Sequence, residues 1–318
     1  MPLPVSSSAT PVTVLVHIHY PEIWQEMSGL IARRLTLPFH LVMTTSRPMG
    51  DLALPKTPHL LSHRSIVVEN RGRDILPFLR ALAETEDFGI GLKLHTKKSP
   101  QRADGAQWRA ELLDSLLPSP EGTEAIVAKI AGDPRIGFVT PSGFCLPVKP
   151  WILVNGPAMQ RTMSVVGDGL TDGDMEGAYF AAGSMFWFRR PALAALADKG
   201  LPPLFEPEEG QLDGTMAHGM ERLFPVEARR QGFLSVAMPV LMASSPDTPE
   251  SSLLAATQAH TEEPNFLFPA PYVSPASAAF APPPPAVPMR IRILRFFAPA
   301  YRALPAPLRR LLKKLAGR

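Results

Sequence analysis

Strand and helix patterns alternate along the first hundred residues, and this order constrains the fold more than any other feature of the chain. Residues 12–20, VTVLVHIHY, form an apolar, β-branched run typical of a buried strand, and residues 21–35 then place apolar side chains at helical spacing. Strand patterns recur at 39–46 and 65–70, and a helical pattern resumes at residue 75. Because this is the order of a doubly wound sheet, we predict an α/β fold.

The same rhythm extends to about residue 243. We predict a helix over residues 106–119, with Trp108, Leu112 and Leu116 on one face. Another helix is predicted to begin at Asp213, which can act as its N-cap. Four further strands are predicted, at residues 89–95, 135–143, 179–190 and 235–243. The apolar and aromatic run at 179–190 is predicted to be one continuous core strand.

Composition changes after about residue 245, where Ser, Pro, Ala and Thr dominate. Proline accounts for 37 of the 318 residues, and this is roughly twice its usual share. We therefore predict a disordered N-terminus over residues 1–11, one folded domain over 12–244, and a linker with little structure over 245–288.

Residues 289–318 combine basic and large apolar side chains. From Arg290 onward there are nine Lys or Arg and no acidic residue, and one helical face would carry Leu308, Leu311, Leu312 and Leu315. We predict a short basic amphipathic helix that binds an anionic membrane surface; a solvated basic tail is the alternative. The rest of the chain holds 23 basic and 29 acidic side chains, so we expect no nucleic-acid partner.

The cellular compartment is predicted from cysteine content and from hydropathy. Cys145 is the single cysteine, which excludes a disulfide scaffold. The sequence contains neither a secretion signal pattern nor an apolar run long enough to span a bilayer. We expect a cytoplasmic chain, peripherally associated with the inner face of the cell membrane.

Two polar clusters follow predicted strands. Residues 70–74 read NRGRD, and residues 93–98 read KLHTKK. Loops at the carboxyl ends of strands bind ligands in α/β sheets, and basic side chains there can face an anion such as a diphosphate. The alternatives are a helix entry with two solvated arginines, and a solvated lysine loop with His95 as a core residue.

Carboxylates supply the remaining candidate chemistry. Asp172 and Asp174 have the spacing of a DxD clamp for Mg²⁺ or Mn²⁺, but this pattern is weak and a flexible surface loop is the favoured alternative. Asp213 is either a general base or a helix cap. The sequence contains no GxGxxG or GxxxxGK[ST] loop, CxxC site, HExxH helix or GxSxG elbow.

Four segments in a fixed order resemble a known family. ENRGRDILPFL, LKLHTKKS, AAGSMFWFRRPAL and DGTMAHGMERLF look like the rhamnan synthesis protein F family of bacterial polysaccharide assembly proteins, over roughly residues 12–241. Members are regarded as glycosyltransferases, typically rhamnosyltransferases. The resemblance implies a Rossmann-like, GT-A-type mixed sheet flanked by helices.

The resemblance also implies roles for individual residues. Asp213 falls at the base position, and the donor-binding candidates are His17, Asn70, Arg73, Asp74, Lys93, His95 and Lys97. Where GT-A enzymes usually place DxD, this chain has Leu94-His95-Thr96-Lys97, so the metal question stays open, with Asp172 and Asp174 as the candidates.

The predicted function is therefore an inverting transfer of a deoxyhexose such as rhamnose. The expected donor is a nucleotide sugar resembling dTDP-rhamnose, and the expected acceptor is a lipid-linked cell-surface glycan. Two alternatives stay open: a non-catalytic module that binds nucleotide sugars or glycans, and a membrane scaffold for other assembly enzymes.

Overall fold

A seven-stranded sheet flanked by helices organises the protein. The computed structural model describes residues 10–50, 52–85, 88–96, 98, 105–167, 169–208 and 213–261. The strands are β1 (Val12–Ile18), β2 (Phe39–Thr45), β3 (Leu60–Val67), β4 (Ile90–His95), β5 (Ile136–Thr140), β6 (Cys145–Pro147), β7 (Tyr179–Ala181), β8 (Phe186–Arg189) and β9 (Leu234–Ala237). The helices are α1 (Pro21–Arg34), α2 (Ile75–Ala83), α3 (Gly105–Leu116), α4 (Pro120–Gly132), α5 (Gly156–Val166), α6 (Met216–Arg230), α7 (Met238–Ala243) and α8 (Glu250–Ala259).

The order of strands in the main sheet is β3-β2-β1-β4-β8-β5-β9. Neighbours run parallel except at β8, which is antiparallel to both β4 and β5. β6 and β7 form a separate two-stranded antiparallel sheet. The α/β fold predicted from the alternating patterns is confirmed, and so is the mixed sheet that the family resemblance implies.

Local sequence explains the central elements. β1 is buried along its whole length, as its β-branched run predicts. α1 begins with Pro21, whose missing amide hydrogen costs nothing in the first helical turn. α3 buries Trp108, Leu112 and Leu116, the face predicted from their spacing.

The strand order reverses between β1 and β4. The chain leaves β1 toward β2 and β3 on one side, and it returns to place β4 on the other side of β1. At the carboxyl ends of this pair, His17 lies in register with His95. Such a reversal opens a crevice above the strand ends, which is where α/β sheets of this type bind ligands.

The prediction of one continuous strand over residues 179–190 is wrong. The chain instead forms β7, turns, and enters the main sheet as β8. Gly183 and Ser184 both have positive φ, at 95° and 58°, which an extended strand does not allow. Both halves are apolar and buried, so periodicity alone did not show the turn between them.

Two more predicted boundaries differ from the structure. Of the strand predicted over 235–243, only β9 is extended, because Pro239 favours the first turn of the helix α7 that follows. α6 begins after Thr215, which occupies its N-cap position. Asp213 therefore precedes the helix and does not cap it.

Part of the predicted linker is folded. α8 lies within residues 245–288, and it buries Leu253 and Thr257. Tyr179 Oη donates to Gln258 Oε1 at 3.1 Å, and Ala237 N donates to Thr257 Oγ1 at 3.4 Å. A high share of Ser, Pro and Ala therefore does not prevent the first part of this segment from packing on β7 and β9.

The remaining predictions for the ends of the chain lie outside the described residues. They concern residues 1–9, the linker beyond residue 261 and the tail over 289–318. Among the described residues, no helix combines the length and the apolar character that crossing a bilayer requires.

Removing α8 should destabilise the domain. A chain ending at Ser244 loses the burial of Leu253, a loss that we expect to cost about 2 kcal/mol or more and to lower Tm by several °C. A chain ending at Thr261 keeps these contacts and is the matched control. Equal melting temperatures for the two shortened chains, measured by circular dichroism, would show that α8 contributes nothing.

Candidate functional site

A cavity of about 200 Å³ opens at the reversal of strand order. It lies between the end of β4, the start of α2, the β7–β8 turn and the start of α6, and we call it the switch-point cavity. Its polar lining consists mainly of Arg73, Asp74, His95, Asp213, His218 and Glu221. Its apolar lining includes Trp108, Leu146, Trp151 and Phe180.

A buried ion pair between Lys93 and Asp74 borders the cavity. Lys93 in β4 is 1% exposed, and its Nζ donates to Asp74 Oδ2 at 2.5 Å. The same ammonium donates to Ser184 O at 2.6 Å and to Ser184 Oγ at 2.9 Å, and it lies over the Phe78 ring at 5.4 Å. Burial lowers the pKa of Lys93, and the Asp74 carboxylate opposes that shift.

Asp74 thus has a different role from the helix cap that the sequence suggests. It occupies the N-cap position of α2, but its side chain makes no capping hydrogen bond to the helix. Its carboxylate binds Lys93 instead, and His95 Nε2 lies 3.8 Å from the same oxygen. His95 Nε2 also hydrogen-bonds the carbonyl of Gly183 at 2.8 Å.

Arg73 enters the cavity through a strained turn. Gly72 and Arg73 have positive φ values of 67° and 56°, and a Cβ at position 72 would lie 2.5 Å from the Phe205 ring. Arg73 and Ser184 are two of the three non-glycine residues with positive φ in the described part of the chain. Both line the cavity, and strain of this kind is concentrated at functional sites.

Arg73 fixes the tautomer of His218. Arg73 Nη1 lies 2.9 Å from His218 Nε2, and a guanidinium can only donate. Nε2 is therefore the acceptor, and the ring proton lies on Nδ1, 2.7 Å from Thr215 Oγ1. Burial and the Arg73 charge lower the pKa of His218 to about 4, which keeps the ring neutral near pH 7.

Two carboxylates from the α6 region line the cavity. Glu221 Oε1 accepts from Gly183 N at 3.2 Å, and its Oε2 accepts from Arg222 at 3.5 Å. The ion pair that sequence spacing allows between Glu221 and Arg222 is thus present. Asp213 Oδ1 accepts from Gly214 N at 2.9 Å, and the same amide donates to Asn155 Oδ1 at 3.1 Å.

Of the predicted residues, four line the cavity together: Arg73, Asp74, His95 and Asp213. Lys93 lies beneath it, and His17 is buried nearby, with Nδ1 3.1 Å from Thr44 Oγ1. Asn70 is exposed and does not line the cavity. Lys97 lies outside the described residues.

The two candidate metal ligands lie away from the cavity lining. Asp174 accepts from Thr171 Oγ1 at 2.6 Å and from Arg230 Nε at 2.9 Å. The Asp172 side chain is 85% exposed. In the described part of the chain, no group of three or more His, Cys, Asp or Glu side chains is arranged to hold a metal ion.

Sequence reasoning missed the aromatic wall of the cavity. Trp108 was assigned only to the buried face of α3, and Trp151 and Phe180 had no assigned role. These three residues come from separate parts of the chain, and the fold brings all three to the cavity lining. The Gly183-Ser184 pair was the available signal, since a glycine inside a strand pattern often marks a turn.

The fold and this cavity define an α/β protein with a candidate ligand cavity at a topological switch point. The chain belongs to the rhamnan synthesis protein F family, whose profile matches residues 4–232. The family predicted from the four ordered segments is confirmed. Membership implies a part in rhamnan or other polysaccharide synthesis.

Two curated relatives bear the name "Uncharacterized protein WxcX" and come from Xanthomonas campestris pv. campestris, strains B100 and ATCC 33913. Each is 37% identical to this chain over 228 residues, covering 69% of this chain. The chain spans about a third of their length, with 31% of each relative matched.

Replacing one partner of the buried ion pair should lower the free energy of unfolding more than replacing both partners. Lys93→Met leaves the Asp74 carboxylate without its cation, and Asp74→Asn leaves Lys93 buried without its anion; we expect each to cost about 3 kcal/mol. The double variant should lose clearly less stability than the sum of the two single losses. Urea denaturation of the wild type, both single variants and the double variant gives the coupling energy between the two side chains. Additive costs, within about 0.5 kcal/mol, would show that the two side chains do not depend on each other.

The free energy of unfolding should decrease as the pH is lowered from about 6.5 to about 4. Burial lowers the pKa of His17 to about 4. The unfolded chain therefore binds more protons in this range, and stability falls as pH falls. His17 alone accounts for about 3 kcal/mol of this change. In urea denaturation, His17→Gln should flatten the dependence, whereas the exposed control His63→Gln should not; identical slopes in all three proteins would contradict the assignment.

Proposed function

We propose that this chain is a glycosyltransferase that moves a deoxyhexose, rhamnose first among candidates, from a nucleotide sugar resembling dTDP-rhamnose to a lipid-linked cell-surface glycan. The family supports a part in polysaccharide synthesis. The observation that carries the proposal is that Asp213, Arg73 and His95 line one cavity at the switch point of the sheet. A carboxylate beside cationic or hydrogen-bonding groups is what transfer to a hydroxyl requires.

The proposed reaction is a single displacement with inversion. The acceptor hydroxyl oxygen bonds to the anomeric carbon as the bond from that carbon to the diphosphate oxygen breaks. Asp213 takes the hydroxyl proton, and the nucleoside diphosphate leaves with the bonding electron pair. Arg73 stabilises the charge that develops on the diphosphate, and Lys97, two residues after His95 in the sequence, is proposed as a second cation there.

We assign the base to Asp213 rather than to Glu221 on the basis of their contacts. Both oxygens of Glu221 already accept hydrogen bonds, from Gly183 and from the cation of Arg222. Glu221 is therefore assigned a structural role. Asp213 Oδ1 accepts from the neighbouring Gly214 amide, and we assign Oδ2 to the proton.

The other predicted donor-binding residues have supporting roles in this proposal. Lys93 holds Asp74, and His17 lies in register with His95 at the ends of β1 and β4. Asn70 is proposed to contact the nucleotide from the exposed loop before α2. A divalent metal is left as an experimental variable, with Asp172 and Asp174 as its candidate ligands.

Asp213→Asn should lower turnover by about 10² or more, because general-base catalysis contributes roughly 10²–10⁴. Donor binding should stay nearly unchanged, since the amide keeps the size of the carboxylate. Turnover is measured by release of nucleoside diphosphate, and donor binding by thermal shift. Asp198→Asn, a change outside the cavity lining, is the control; equal turnover in both variants would remove Asp213 from the mechanism.

A ligand panel separates this proposal from its alternatives. Ligands that bind the native state raise Tm, so dTDP, UDP, GDP and their sugars are compared with and without Mn²⁺. Donor binding followed by transfer supports the enzyme. Donor binding without transfer or hydrolysis indicates a binding module, and no nucleotide binding indicates a scaffold.

We also propose that residues 289–318 attach the chain to the anionic inner face of the cell membrane, where a lipid-linked acceptor would lie. Nine basic residues and one leucine face support this proposal. The full chain should sediment with anionic vesicles at least about tenfold better than a chain ending at Thr261. Leu311→Glu with Leu312→Glu should abolish the effect, and Arg309→Lys should keep it. Equal sedimentation of the long and short chains would rule out the tail as the anchor.

A further inference from the structure

We propose that the switch-point cavity encloses one uncharged sugar ring, and that the diphosphate of the donor lies outside it. This inference rests on the proposed function and names the group that occupies the site. Three properties of the cavity carry it: its charge balance, its aromatic wall and its size.

The charges around the cavity are already paired within the protein. Lys93 pairs with Asp74 at 2.5 Å, Arg222 with Glu221 at 3.5 Å, and Arg73 with Glu208 at 3.8 Å. Asp213 adds a further carboxylate to the lining. A diphosphate placed inside would meet three carboxylates, of Asp74, Asp213 and Glu221, and this repulsion disfavours it. An uncharged ligand with many hydroxyls avoids the repulsion, and its hydroxyls can donate charge-assisted hydrogen bonds to these carboxylates.

The rest of the lining is mostly apolar and aromatic. Trp108, Trp151 and Phe180 contribute rings, and Arg222 lies over the Phe180 ring at 5.1 Å. Gly183 packs closely on α3, since a Cβ there would lie 3.1 Å from Leu112 and 3.4 Å from the Trp108 ring. A sugar ring suits a lining of both kinds, because its C–H face can pack on aromatic rings while its hydroxyls meet polar groups.

The volume decides how much of a nucleotide sugar fits. Pockets that enclose a whole drug-sized ligand usually measure roughly 300–1,000 Å³. The cavity, at about 200 Å³, is smaller than this range. It can hold a single ring, whereas the nucleoside and diphosphate must extend toward its mouth.

The four tryptophans provide a test with internal controls. Trp108 and Trp151 line the cavity. Trp24 and Trp187 are buried elsewhere, where their indoles donate to Ala53 O and Leu116 O. The full chain, labelled with ¹⁵N, is titrated with uncharged methyl glycosides, including the rhamnoside and the glucoside, and with the anionic methyl glucuronide. The four indole signals are assigned with single Trp→Phe variants.

We expect at least one uncharged glycoside to shift the Trp108 and Trp151 signals and to leave those of Trp24 and Trp187 in place. Binding should fall in the millimolar range typical of so small a ligand. The glucuronide should bind at least about tenfold more weakly than the glucoside, because its carboxylate meets those of the cavity. Trp151→Leu should weaken binding by about tenfold while the protein stays folded, because the Trp151 side chain is only partly buried.

Several outcomes would overturn the inference. The first is that no glycoside, alone or with dTDP, shifts the Trp108 and Trp151 signals at concentrations up to ~50 mM, which is far above the expected dissociation constants. The second is that all four tryptophan signals shift equally, and the third is that the glucuronide binds as tightly as the glucoside. The fourth is that dTDP alone shifts the Trp108 and Trp151 signals while no glycoside does. Sugar binding without any transfer would refute the proposed enzyme and leave this inference standing. Transfer by a chain whose cavity signals ignore sugars would refute this inference alone.

Discussion

The Lys93–Asp74 ion pair is the interaction on which the site depends. Lys93 comes from a central strand and is almost completely buried, so its ammonium needs a counter-charge close by. Asp74 supplies it from the start of α2, and Ser184 adds two hydrogen bonds from the β7–β8 turn. One side chain therefore joins three elements, and the walls of the cavity keep their positions because this contact holds them.

The pairing of charges changes how the basic clusters are understood. In the sequence, Lys93 and Arg73 appear as positive charge collected at two loops. In the fold, each lies close to a carboxylate from a distant part of the chain, Asp74 for Lys93 and Glu208 for Arg73. The cavity is therefore polar and nearly balanced in charge, which favours a ligand rich in hydroxyls over one rich in phosphate. We propose that a diphosphate binds outside the cavity, close to Arg73.

The sequence predicted most of the sheet and the part of the site that lies at strand ends. Periodicity located β1, β2 and β4, and the rule that ligands bind at carboxyl ends brought Arg73, Asp74 and His95 into one site. It failed at residues 179–190, where both halves of the segment are apolar and only positive φ at Gly183 and Ser184 separates them. It also missed α4, α5 and the packed helix α8. In α8 only Leu253 and Thr257 are buried, so its apolar pattern is too weak to predict a packed helix.

By itself the sequence determined the α/β class, the family and the residue types at the edge of the sheet, because these follow from local periodicity and from motifs read in order. Only the tertiary structure decided which charges pair and which rings line the same cavity. Trp108, Trp151 and Phe180 are far apart along the chain, and no local pattern specifies that they share a cavity. The pairing of Lys93 is decided in the same way: a buried ammonium needs a counter-charge, and the fold places Asp74, at the start of α2, within 2.5 Å of it.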